Sequence, residues 1–497
     1  MTVVRASASP LAPGRQVAVT WGIPDRFGGM TSALLRRSRL FAQTGAATTV
    51  VTLEDRPDYD VVRARLRERG ELEGGVELRN IYEDFRIAHR EPIDAPAAPA
   101  APARPADDEA VSPAGAVHRW REGAEVVRVE HRRADGSLAV LESRPHPEAA
   151  KRTVTTFDPA GRPTGRWSTV RRFRLAWLDE VLGGAPAILV VDSKVAARVL
   201  QHYRRRHVTL IHLVHGAHTD RAGRLTPLRR EVFEHLDRWD AVAFLTDRQR
   251  LAAMTHVGDG RNFVSVSNVV TIPERMPRLP PDRLHGVIAS GLSRRKRIEH
   301  ALEAVARVRA LGVPVTLEVV GDGPQRRPLE AEARRLGLAE AVTFTGYSPR
   351  GAERFRDGAW TLLTSRSEGE SLSLLEAMGA GCLPIAYDIP YGPADAIHHG
   401  RSGYLIPDAD VAGVASALIA LCELDEDRLA AMRSAARQVA QGYGPDAVLS
   451  KWGRAQAAAV RRHAERQPPP PPLLRRAAGR VSRAAARALR GSRRRPR

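Results

Sequence analysis

Thr364-Ser-Arg-Ser-Glu-Gly-Glu-Ser-Leu-Ser-Leu-Leu-Glu-Ala-Met-Gly-Ala-Gly-Cys-Leu-Pro384 is the stretch on which the reading of this chain turns. One short apolar run, 359–363, leads into it, and a second, 383–387, leads out. Both have the length and continuity of strands buried on two faces. Between them a Ser- and Gly-rich loop opens onto a helix over 372–380. Strand, loop, helix and strand in that order make one βαβ unit.

The same rhythm runs outward from this unit. Strands are expected at 286–290, 314–320, 341–345, 359–363, 383–387 and 403–406, with helices at 297–311, 325–336, 372–380 and 393–399. A matching series opens the chain. Gln16-Val-Ala-Val-Thr20 is a strand, Gly28-Gly29-Met30-Thr31 a loop, a helical run reaches about residue 43, and a strand follows at 47–53. The series resumes at 187–191, continues through a helix ending near 203, and reaches a strand at 208–214 followed by His215-Gly-Ala-His218. Two such series predict an α/β fold of two Rossmann-like domains facing a cleft. Residues 1–91 and 176–275 form the N-terminal domain, 276–445 the C-terminal domain, and a helix within 446–466 crosses back over the pair.

Two segments break the rhythm. Residues 92–114 are a Pro/Ala-rich linker, with Pro92, Pro96, Pro99, Pro102 and Pro105 closely spaced. Residues 115–175 then change character. Asp135-Gly136 is a hairpin turn between strands at 126–130 and 138–141, and strands at 153–157 and 167–175 continue the pattern. This is a small antiparallel β insertion in the N-terminal domain. The chain closes in a Pro-rich and basic tail, 467–497.

Of the 497 residues 43% are hydrophobic, an ordinary share for a globular chain, and no apolar run is long enough to span a bilayer. No secretory signal is expected in the first 15 residues. Two cysteines, Cys382 and Cys422, exclude a disulfide framework and fit a reducing, cytoplasmic setting. The net charge is +20, and the ten arginines between Leu474 and Arg497 carry half of it. Such a tail suits an anionic polymer or the inner face of a membrane, or is simply a solvated end. It has no aromatic residue to stack on bases, so nucleic acid is not expected as a partner.

Candidate chemistry gathers at the carboxyl ends of strands, where open α/β sheets bind ligands. Gly291-Leu-Ser-Arg-Arg-Lys-Arg297 follows one strand and places cations where a diphosphate could sit. Gly321-Asp-Gly-Pro324 follows the next, and Tyr391-Gly-Pro393 a later one. Glu368 lies in a loop before a helix and Glu376 inside that helix, so each could accept hydrogen bonds from vicinal hydroxyls. In the other half, Gly28 and Gly29 allow close backbone approach at a helix start. His215 and His218 either face a ligand or cap backbone groups. Asp58/Asp60 and Asp408/Asp410 lack a metal-binding context, and neither a metal nor a cofactor is expected.

The run Ser365 to Pro384 resembles the Glu-x7-Glu signature of the retaining GT-B glycosyltransferases of family 4. Tyr387-Asp-Ile-Pro-Tyr-Gly-Pro393 and Gly400-Arg-Ser-Gly-Tyr-Leu-Ile406 are similar to the poly(glycerol- or ribitol-phosphate) α-glycosyltransferases that decorate wall teichoic acid. The β insertion, ending in Phe173-Arg-Leu-Ala-Trp177-Leu-Asp-Glu180, resembles the extra sheet through which that subgroup oligomerises. The resemblance covers nearly the whole chain apart from the linker and tail. It implies transfer of glucose or N-acetylglucosamine from a UDP-sugar to a polyol-phosphate polymer. By position it makes Lys296 the diphosphate cation, Glu368 the holder of the transferred sugar and Glu376 that of the ribose. His215 would face the reacting centre, making Lys296, Glu368 and His215 the catalytic set. Gly28, Gly29, His218, Arg294, Gly321, Gly323, Ser371 and Leu372 join Glu376 in binding the donor. Two positions depart from the pattern. Gly291 stands where the family usually has Arg, with Arg294 or Arg295 as the expected substitutes, and Glu370-Ser371 replaces the usual Phe-Gly. The competing expectations are a membrane-lipid or capsule-precursor acceptor, and a scaffold without activity.

Overall fold

The computed structural model describes residues 10–100, 102–146, 148–220, 222–258, 260–275 and 282–467. The expected spacer Pro468 to Pro472 and the basic tail therefore lie outside the described residues. Three sheets organise the chain. The first has seven parallel strands, in the order Phe263–Ser265, Ala241–Phe244, Val208–Val214, Ala187–Val191, Arg15–Thr20, Thr48–Thr52 and Glu77–Asn80. The second has six parallel strands, in the order Val342–Gly346, Thr316–Val320, His285–Ala289, Trp360–Leu363, Leu383–Asp388 and Tyr404–Pro407. Every residue of Ala-Ile-Leu-Val-Val at Ala187–Val191 is buried, as expected for a strand covered by helices on both faces.

In each sheet the strand order reverses at the middle. In the first, Arg15–Thr20 has its sequence neighbour Thr48–Thr52 on one side and Ala187–Val191 on the other. In the second, His285–Ala289 stands between Thr316–Val320 and Trp360–Leu363. A crevice opens outside the carboxyl ends of the strands at such a switch point. Two crevices face each other here, and the candidate site lies between them.

The third sheet is antiparallel, and its six strands run in sequence order from Asp108–Ser112 to Pro163–Trp167. It starts inside the expected linker: Asp108–Ser112 is an exposed edge strand, and its polar residues read as linker for that reason. It also ends earlier than expected, because Thr169 caps a helix at Val170–Leu182 with its side chain on the Arg172 amide. That helix buries Phe173 and Trp177 in one cluster with Tyr82, Phe85, Val140 and Val154, so the insertion shares the core of the N-terminal domain.

The helix Pro445–Glu465 crosses back onto the first sheet. Val448, Trp452, Ala455 and Ala459 pack with Phe41, Ile188 and Ile211, and the rings of Phe41 and Trp452 meet edge to face at 5.6 Å. Buried Gln456 ties the ends of the chain together, donating to Gln16 Oε1 at 2.8 Å and accepting from the Ala12 amide at 3.0 Å. Among the described residues no helix is long and apolar enough to cross a membrane.

Candidate functional site

The loop after His285–Ala289 and the loop after Trp360–Leu363 leave the second sheet side by side at its switch point. Thr364 joins them, its hydroxyl donating to the Arg297 carbonyl at 2.8 Å. Arg297 answers from a left-handed backbone position (φ 46°), donating to the Thr364 carbonyl at 2.9 Å and the Ser365 carbonyl at 3.0 Å. This brace brings Lys296 to Glu368: Nζ lies 2.6 Å from Oε1, and Arg295 reaches Oε2 at 3.0 Å. Burial pushes the Glu368 carboxyl up. The charges of Lys296 and Arg295, with hydrogen bonds from Lys296 and Ser365, outweigh it and leave the group below its ordinary value. Glu368 is therefore a desolvated, ionised acceptor.

Ser371 starts the helix Leu372–Ala380, its Oγ accepting from the Leu374 amide. Glu376 projects from the first turns and accepts from Arg36 Nη1 at 2.5 Å, a residue of the opposite domain. Gly321 and Gly323 follow the strand Thr316–Val320 with φ near 150° (151° and 156°). A Cβ on Gly321 would lie 1.8 Å from the Ser290 carbonyl oxygen, and one on Gly323 2.4 Å from that of Leu292. Only glycine lets these two loops close on each other.

From the first sheet, Gly28 precedes the helix Gly29–Gln43 and Asp192 follows the strand Ala187–Val191. Arg37 holds Asp192 with two parallel hydrogen bonds of 2.8 and 2.7 Å. Burial works against the Asp192 carboxylate, yet Arg37 and His215 keep it ionised, at about 2. Its Oδ1 lies 2.6 Å from His215 Nε2, which sets the orientation of that ring.

These groups line one continuous cleft made of four overlapping cavities. The first, about 560 Å³, is bounded by Gly28, Arg36, Ser290, Gly321, Tyr347 and Glu376. The second, about 370 Å³, shares Gly291 with the first and adds Gly29, Lys296 and Ser371. The third, about 440 Å³, holds Asp192, His215, Glu368, Glu370 and Leu372. The last and widest, about 940 Å³, carries Arg294, Arg295, Arg297 and Arg366. Of the sequence candidates, His218 alone lies off this lining. Its ring is fully buried, stacked on Tyr391 at 5.5 Å and edge to face with His256 at 5.6 Å, and burial lowers its pKa to about 4. Arg294 is in the widest cavity rather than beside Gly291. Of the two Asp-x-Asp pairs, Asp58 pairs with Arg56, Asp408 with Arg297, and Asp410 caps the helix Val411–Cys422.

Three residues of the site have no advance signal or only a faint one. Asp192 follows a strand that was legible, so the strand-end rule points to it. Arg36 lies mid-helix on a polar face, where Arg is ordinary. Glu370 reads as a departure from pattern, and the structure gives it a specific place. Its carboxyl is buried, Oε2 accepts the Asn268 amide at 2.6 Å, and Oε1 has no hydrogen-bond partner among the described residues. Burial pushes its pKa up to about 8.

Residues 279–439 match the family model described as glycosyl transferases group 1. The chain is similar to poly(ribitol-phosphate) alpha-N-acetylglucosaminyltransferase of Staphylococcus aureus, at 27% identity over 50% of this chain and 50% of that protein. It is also similar to poly(glycerol-phosphate) alpha-glucosyltransferase of Bacillus subtilis, at 26% identity over 45% of this chain and 33% of that protein. The chain thus spans half or less of the length of these curated relatives. In structure it resembles a variant of S. aureus TarM in complex with fondaparinux, alpha-GlcNAc-glycerol and UDP. The TM-score is 0.70 at 18% identity, over 89% of this chain and 100% of that one. That likeness concerns the fold, which is GT-B.

Proposed function

We propose that this protein is a retaining, metal-independent glycosyltransferase that moves glucose or N-acetylglucosamine from a UDP-sugar to a polyol-phosphate cell-wall polymer. The observation that carries the reading is the order of groups along the cleft. A nucleoside-sized cavity bounded by Glu376 leads past Lys296 to a cavity in which an ionised Glu368 faces an anchored His215. A nucleotide-sugar laid along that line has its ribose hydroxyls on Glu376, its diphosphate at Lys296 and the start of the helix Gly29–Gln43, and its sugar on Glu368.

The chemistry follows from that order. As the sugar–phosphate bond breaks, positive charge grows on the sugar ring and negative charge on the departing diphosphate. Lys296 stabilises the diphosphate, and Glu368 holds the sugar by its hydroxyls at a fixed angle. The acceptor hydroxyl attacks from the face the diphosphate has left, and a diphosphate oxygen takes its proton. Configuration is retained without a protein nucleophile. Arg294, Arg295, Arg297 and Arg366 around the widest cavity suit a phosphate-bearing acceptor. Similarity to enzymes named for poly(ribitol-phosphate) and poly(glycerol-phosphate) supports the same choice. Two unpaired, buried cysteines accord with work on the cytoplasmic side, and the antiparallel insertion is the proposed seat of homo-oligomerisation.

The test is transfer from UDP-glucose and UDP-N-acetylglucosamine to poly(glycerol phosphate), poly(ribitol phosphate) and a lipid-linked acceptor, with the product anomer read by NMR. An α-linked product on a polyol phosphate is expected. Transfer only to the lipid removes the polymer acceptor, a β-linked product removes retention, and no transfer or donor hydrolysis removes the activity.

A further inference from the structure

Gly291 follows the strand His285–Ala289, lines both the nucleoside cavity and the one beside Lys296, and offers no side chain. The neighbouring arginines are placed or tied differently. Arg294 lines the widest cavity, Arg295 is held by the Ser367 carbonyl at 2.6 Å and by Glu368, and Arg297 braces the two loops. Lys296 is left as the sole charge that this loop gives to the cavity beside Gly291 without a backbone tie.

The opposite domain supplies another. Arg36 lies two turns into the helix Gly29–Gln43, lines the same two cavities as Gly291, and is 24% exposed. Among the described residues its one ion pair is with Glu376, through Nη1. A guanidinium carries donors on three nitrogens, so anchoring Nη1 leaves Nη2 and Nε for a second anion. With the ribose on Glu376 and the diphosphate beyond it, that second anion is the diphosphate. We propose that Arg36, reaching across the cleft, is the second diphosphate-binding cation of this enzyme and takes the place of the side chain absent at Gly291. The inference rests on the donor orientation set out above. It also makes nucleotide binding a bridge between the domains, with Lys296 on one side of the phosphates and Arg36 on the other.

Calorimetric titration of the full chain with UDP and with uridine tests this. If wild-type protein binds no UDP, the donor-site reading itself is overturned. Given binding, Arg36→Gln is expected to weaken UDP by about 10- to 100-fold, the worth of one charge-assisted hydrogen-bonded contact. Uridine affinity is expected to change by less than about threefold, since uridine has no phosphate. Equal losses for UDP and uridine would mean that Arg36 acts only by steadying Glu376, and would overturn the proposal. So would an unchanged UDP affinity. A rescue completes the test. A Cβ at Gly291 meets no atom within 4 Å, so a side chain there is accommodated. Arg36→Gln with Gly291→Arg is expected to regain most of the lost UDP affinity. Failure of that rescue, in a protein with the wild-type melting temperature, would argue that the two positions do not serve the same phosphates.

Discussion

Replacing Glu370 by Gln tests how the donor loop is joined to the hinge between the domains. The carboxyl sits in the loop between Glu368 and the helix Leu372–Ala380, and it accepts the backbone amide of Asn268 from the segment that leaves the first domain. Burial raises its pKa from 4.5 to about 8, with Asp395 adding to the rise, while the Asn268 amide and the charge of Lys451 oppose it. An acid whose pKa is raised by folding favours the folded state while it is protonated. Its contribution is intact below about pH 4.5 and is lost progressively as pH rises to about 8. The full interval corresponds to a ceiling of about 5 kcal/mol, at about 1.4 kcal/mol per tenfold change in binding constant. Gln keeps the acceptor for Asn268 and does not titrate, so any fixed cost of its amide is the same at every pH. The melting temperature of Glu370→Gln minus that of wild type is therefore expected to rise between pH 5 and pH 9. At about 2–4 °C per kcal/mol for a domain of this size, the rise reaches at most about 20 °C. A difference that stays flat across this range would refute a buried, neutral Glu370. One that falls would mean that the ionised form is the one the fold holds.

Further expectations concern single contacts. Glu376→Ala should weaken UDP and uridine alike by about tenfold, as the ribose acceptor is lost, and unchanged uridine affinity in titration would remove that role. Gly321→Ala places a methyl group against the Ser290 carbonyl oxygen at 1.8 Å. The loop must move, costing about 1–3 kcal/mol in thermal unfolding and weakening UDP. A variant as stable as wild type would show that the loops are not locked together. Asp192→Asn removes the charge that orients His215 while keeping its size. Transfer should slow by about 10- to 100-fold with UDP affinity retained, and steady-state kinetics beside calorimetry separates the two.

The C-terminal domain was legible because its strands are short apolar runs divided by glycine-rich loops. The helix expected at 372–380 is the one observed, Leu372–Ala380, and the expected strand at 359–363 is Trp360–Leu363. The N-terminal domain hid more. The strands Glu77–Asn80, Ala241–Phe244 and Phe263–Ser265 have only three or four residues each and carry little periodicity. At the site, glycines and strand-end residues announce themselves because backbone geometry demands them. A contact such as Arg36 with Glu376 joins positions 340 apart in sequence, and its existence depends on how two separately legible domains face each other. Local pattern holds no information about that.

One helix makes this facing specific. Gly29–Gln43 presents its first turn to the cleft, and consecutive residues further along it serve different partners. Arg36 points to Glu376 of the opposite domain, and Arg37 turns about 100° away to the buried Asp192 behind His215. A rotation or shift of that helix would alter the surroundings of Glu376 and of His215 together. Gly369 adds a steric limit at the same place. A Cβ there would fall 2.1 Å from the His215 carbonyl oxygen, so glycine after Glu368 lets the donor loop rest against the backbone of the histidine it works beside. The glycine of that Glu-Gly pair serves the approach of the two domains, and the glutamate before it is the proposed holder of the sugar. A side chain at 369 is therefore expected to hold the domains apart, lowering transfer while UDP affinity, set in the cavity around Glu376, is largely kept.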